Sequence, residues 1–71
     1  MKDMWEAIEV LKLNAEAYPK SANVYDSLAD ASYAAGDHEA ARQNYKKSLE
    51  LNPWNANALE MLRRLQGVSA R

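Results

Sequence analysis

Two dipeptides, Tyr18-Pro19 and Asn52-Pro53, stand 34 residues apart, and each closes a stretch with a helical Ala/Leu face. Proline pushes the residue before it out of the helical region, so each pair acts as a stop. After each stop a similar stretch resumes. A helix–turn–helix unit recurring at about 34 residues predicts stacked helical hairpins, because one hairpin leaves an apolar face that only a neighbour covers. Such an architecture builds an extended surface and offers no catalytic cleft.

Size narrows the reading further. The chain has 71 residues and no Cys, which excludes disulfides, thiolate metal sites and cysteine nucleophiles. A core this small supplies only about 3–5 kcal/mol. It either stands alone or is a segment of a larger protein. No apolar run is long enough to span a bilayer, and no signal-peptide pattern opens the chain, so no membrane role is expected. The compartment stays open, with the cytoplasm slightly favoured. Net charge is −1, but it is unevenly spread: residues 1–37 carry −4 and residues 38–71 carry +3. Opposite ends of this kind attract head to tail at low salt, or simply face water as two different helix surfaces.

Four helices are predicted. The first covers residues 3–17, with Met4, Ile8, Leu11 and Ala15 on one face and Val10, Leu13 and Ala17 as a second stripe. A helix this broadly apolar expects neighbours on more than one side. Ser21 caps the second helix, whose stripe is Val24, Leu28, Ala31 and Ala35, with Tyr25, Ala29 and Ser32 alongside. Gly36 ends it in a left-handed conformation, and Asp37 caps the third helix at once, which forces a tight antiparallel hairpin. The third helix covers residues 38–51, with Ala41, Tyr45, Ser48, Leu49 and Asn52 inward and Arg42, Lys46 and Lys47 in water. Asn55 caps the fourth, with Leu59, Leu62 and Leu65 as its stripe and Gly67 closing it before a frayed end. The fold class is all-α, four helices in antiparallel hairpins.

The segment 22–55 resembles one complete tetratricopeptide repeat. Tyr25, Leu28, Ala29, Gly36-Asp37, Ala41, Tyr45, Ser48 and Pro53 carry the likeness, with Leu49 and Leu51 in their usual places. Ala29 and Ala41 are small where two helices cross, and the tyrosines fill the space between repeats. Ser32 is smaller than the family's usual residue, with Tyr33 beside it to compensate. Residues 3–17 read as the second helix of a preceding repeat, through Ala7, Leu11 and Pro19. Residues 56–66 read as a terminal capping helix, with Arg63 where the small crossing residue belongs. SANVYDSL at 21–28, KSLELNP at 47–53 and ALEML at 58–62 look like the repeat-type tails that end some bacterial hydrolases. On that likeness the chain is an accessory or C-terminal segment of a larger protein.

The resemblance implies a protein-interaction module whose peptide groove is lined by Asn23, Asp26, Ser27, Asp30 and Tyr33, then by Asn57, Glu60, Met61 and Arg64. Relatives that clamp a terminal carboxylate place Lys, Asn and Arg at several such positions. Asp26 and Asp30 depart from that pattern, and their acidic stripe implies a basic or neutral peptide.

Candidate chemistry is sparse. His38 is the sole histidine, and Asp37 and Glu39 beside it are explained as helix-start residues. The serines lack a nucleophile-elbow context, and two glycines do not make a phosphate loop. Neither enzyme activity nor a cofactor is expected. Arg42, Lys46, Lys47, Arg63, Arg64 and Arg71 form a basic set, but no aromatics interleave with it and the net charge is negative, so nucleic-acid binding is not expected. The more informative surface is apolar. Met4, Trp5, Ile8, Val10 and Leu13 leave the first helix with an uncovered face, available to adjoining chain or to a second copy in a homodimer. Trp54 either anchors such a contact or packs on its own domain.

Overall fold

Three loop side chains set where helices begin. The computed structural model describes residues 4–69, which form α1 (Met4–Ala17), α2 (Ala22–Ala34), α3 (His38–Leu51) and α4 (Ala56–Ser69). Ser21 accepts from the Val24 N–H at 3.3 Å, Asp37 from the Ala40 N–H at 3.2 Å, and Asn55 from the Ala58 N–H at 3.2 Å. Each bond satisfies a first-turn donor that has no partner within its own helix.

The α2–α3 turn is tighter than the others. Gly36 sits at φ +88°, its N–H donates to the Tyr33 carbonyl at 3.0 Å, and the Asp37 N–H donates to the Ser32 carbonyl at 2.9 Å. This pair of bonds closes α2 in a Schellman motif, whose left-handed residue glycine tolerates best. Asp37 therefore ends one helix and caps the next, with no residue spare between them.

The middle of the fold is α2, which buries two neighbouring faces. Leu28 packs with Ile8 and Ala15 of α1, while the adjacent Ala29 packs with Ala41, Tyr45, Ala58 and Leu65 of α3 and α4. Ala29 and Ala41 are both fully buried, as the close helix crossing requires. The molecule extends 31 × 27 × 15 Å, a slab whose short axis is little more than one helix diameter.

Among the described residues, buried side-chain polar atoms are paired. Ser48 donates to the Ala22 carbonyl at 2.9 Å and accepts from Asn55 at 2.8 Å, joining three helices at one hydroxyl. Ser32 donates back to the Leu28 carbonyl at 2.9 Å. The volume that Ser32 leaves is flanked by half-buried Tyr33, which packs on the α2–α4 core.

Asp3, the expected start of α1, lies outside the described residues. Several other expectations differ from the structure. Met4, placed with Ile8 and Ala15 by helical period but also among the uncovered residues of the helix, is 45% exposed at the helix end. Asn52 is exposed because its carboxamide accepts from the Trp54 N–H at 3.1 Å, turning it into the loop. Arg42, expected in water, is half-buried beside α4. On α4, Ala58, Met61, Leu62 and Leu65 face the core, whereas Leu59 is 53% exposed. The helix also runs through Gly67 to Ser69 instead of closing at the glycine. A glycine within a helix costs only about 1 kcal/mol, so it need not be a stop.

Candidate interaction surfaces

The first surface joins α2 to α4. Asp26 and Asp30 lie one turn apart on α2, and the Asn57 carboxamide of α4 donates to both, at 3.1 Å to each oxygen of Asp26 and 3.4 Å to Asp30. Asn55 donates to Asp26 at 3.3 Å, and the Tyr45 hydroxyl donates to Asp30 from below. These donors are neutral, so they hold the carboxylates in place without cancelling their charge. The same contacts brace α2 against α4.

The other expected groove residues lie on the same two helices, except that Met61 packs on the core instead of lining a groove. Asn23 and Asp30 are exposed, Asp26 and Tyr33 half-buried, and Asn57, Glu60 and Arg64 exposed. Glu60 and Arg64 pair along α4 at 3.3 Å. The Tyr33 ring stacks on His38 with centroids 5.2 Å apart. His38 is exposed, and among the described residues no group of three His, Cys, Asp or Glu side chains converges as a metal site would require. Among the described residues Tyr45 is the one strongly perturbed group: burial, then the bond to Asp30, push its phenol well above its ordinary pKa.

The second surface is a groove between α3 and α4, which the sequence reading did not single out. Leu59 and Leu62 form its floor, with Arg42, Lys46, Arg63 and Gln66 around them, enclosing about 470 Å³. A signal was present in the sequence: the basic set and the Leu59 stripe lie at matching helical spacing. The set is partly offset by acids: Arg42 at the groove by Glu39, and away from it Lys47 by Glu50 at 3.9 Å and Arg64 by Glu60. Arg71 lies outside the described residues.

The third surface is the outer side of α1. Trp5, Val10 and Leu13 are 54%, 58% and 63% exposed, continuing from Met4. Ile8 does not belong with them. Its side chain turns inward and is only 3% exposed, because a helix of period 3.6 places it on the stripe with Ala15. Trp54, in the α3–α4 loop, does not pack on its own domain and is 90% exposed. Among the described residues no helix is long and apolar enough to cross a membrane.

Antiparallel hairpins stacked so that a central helix buries two faces define a helical-repeat protein. A family model described as tetratricopeptide repeat matches residues 22–65, more than half of the chain, and the chain belongs to the tetratricopeptide repeat family. No curated protein and no solved structure gives a significant match.

Proposed function

We propose that this chain is a non-catalytic protein-interaction module, an accessory or C-terminal segment of a larger protein, whose α2/α4 face receives a basic or neutral peptide. The observation that carries the reading is the Asp26–Asn57–Asp30 cluster. Two carboxylates fixed by neutral donors present a negative field at little reorganisation cost when a ligand arrives. Asn23 and Tyr33 on α2 and Glu60 and Arg64 on α4 are the further residues assigned to that face. In the assignment proposed here, residues 22–55 are the complete repeat, α1 is the second helix of a partial one, and α4 is the cap.

Fluorescence anisotropy with a labelled Lys/Arg-rich peptide tests this, with an acidic peptide of equal length as control. The expected result is salt-sensitive binding of the basic peptide, weakened several-fold by Asp26→Asn with Asp30→Asn. Equal binding of both peptides, or no effect of the substitutions, would sink the reading.

A second reading is self-association. It is favoured by the exposed apolar residues Met4, Trp5, Val10 and Leu13 on α1, with Trp54 as a separate exposed anchor.

A further inference from the structure

The 34-residue period relates helix faces as well as turns. On α2, Ala29 and Ser32 are buried, and Ala29 is met by Ala41 and Tyr45 of α3. One period beyond Tyr25, Leu28, Ala29 and Ser32 stand Leu59, Leu62, Arg63 and Gln66 on α4. All four line the α3/α4 groove. Of the α2 positions, Ala29 is met by α3 while Tyr25 and Leu28 pack with α1, so the groove is the counterpart of the α1/α2 junction on which α3 rests through Ala29. One period before Ala41 and Tyr45 stand Ala7 and Leu11 of α1, which line a shallow apolar trough with Glu6 and Val10. One end of the chain offers a seat for a helix, and the other offers a helix face built to the same register.

The charges agree. Lys46 and Arg63 border the groove beside Arg42, which pairs with Glu39, while α1 carries Glu6 and Glu16 besides the Glu9–Lys12 pair. We propose that α1 of one copy docks in the α3/α4 groove of the next, so that copies join head to tail. This rests on the self-association reading above, sharing Val10 with it, and adds Ala7 and Leu11 as the donor face and the α3/α4 groove as the acceptor. In the docked pair α4 stands to the incoming α1 as α2 stands to α3. Within one copy α4 remains the cap, since Arg63 replaces Ala29 at the crossing; between copies the incoming helix rides further out and its acidic side meets that guanidinium. The contact is heterologous: each copy keeps one donor helix and one acceptor groove, and assembly does not close at two. Salt weakens it, since the rim charges are exposed.

Two variants at exposed positions test the proposal without touching the core. Val10→Asp removes the donor face and keeps the groove; Leu59→Asp removes the groove and keeps the donor. Circular dichroism checks that each remains helical, and sedimentation equilibrium reads its mass. The wild type is expected to associate progressively with concentration and less in high salt. Each variant alone is expected to lose association, and an equimolar mixture to recover it as a one-to-one pair. A Leu59→Asp variant that still dimerises would mean that α1 meets α1, which overturns the proposal and keeps self-association. A mixture that stays monomeric while the wild type associates also overturns it. A wild type monomeric at all concentrations removes self-association altogether.

Discussion

The Tyr45 hydroxyl, on a fully buried side chain between α2 and α4, donates to the carboxylate of Asp30 at the surface. The core of this small fold is thus tied to the face proposed to bind peptide. Burial and the nearby carboxylates both favour the neutral phenol in the folded state.

Alkaline sensitivity follows from that bond. The folded-state pKa of Tyr45 lies above its ordinary 10.0, so the folded chain holds its proton more tightly than the unfolded one. The stabilisation is whole below pH 10.0 and is lost as pH rises from there toward the raised folded value. The slope reaches about 1.4 kcal/mol per pH unit. Urea unfolding across that window checks it, and Tyr45→Phe should remove this slope while lowering neutral-pH stability by about 1–2 kcal/mol. An unchanged slope in Tyr45→Phe would refute the assignment.

Ser48→Ala should be more damaging than a small polar-to-apolar change suggests. It removes the donor to the Ala22 carbonyl and the acceptor for Asn55 inside a closed site. A loss of about 1–3 kcal/mol is expected, with non-additive coupling to Asn55→Ala in a double-mutant cycle. Additive losses would mean that the two side chains do not share one network.

Ala29 and Arg63 occupy equivalent places one period apart, yet their tolerances should be opposite. Ala29→Arg forces a charge into a fully buried crossing against Ala41 and should cost more than about 4 kcal/mol, unfolding the domain. Arg63→Ala changes an exposed side chain and should stay within about 0.5 kcal/mol. Thermal melts by circular dichroism separate the two; a stable Ala29→Arg would contradict the close packing of α2 on α3.

On α1, Ile8 and Val10 stand two residues apart and should behave differently. Ile8→Asp puts a carboxylate into the contact with Leu28 and should detach or unfold α1, a loss of more than about 3 kcal/mol. Val10→Asp faces solvent and should leave the melting curve of a dilute sample nearly unchanged. Equal destabilisation by both would mean that the outer side of α1 is already covered.

Much of the fold was legible because its determinants are local. Ser21, Asp37 and Asn55 cap where their chemistry predicts, and Gly36 takes the left-handed conformation that a helix end favours. The crossing of Ala29 on Ala41 was readable too, since small residues at matching positions permit close approach. The interaction surfaces were less so. Asp26 and Asp30 read as an open acidic stripe, but Asn57, roughly thirty residues away, engages both.

What the sequence by itself determined is the list of helices and the stops of the first three, because capping, proline geometry and helical period act within a few residues. The end of α4 was misplaced at Gly67. What only the tertiary structure decided is which side of each helix is covered. Ile8 and Val10 are equally apolar in the sequence, and the packing of α1 on Leu28 alone buries the first and leaves the second outside. Leu59 likewise fits its helical stripe but stays 53% exposed, because the face it belongs to is met by no helix among the described residues. Burial is a property of neighbours, and neighbours are set by how hairpins stack rather than by any local pattern.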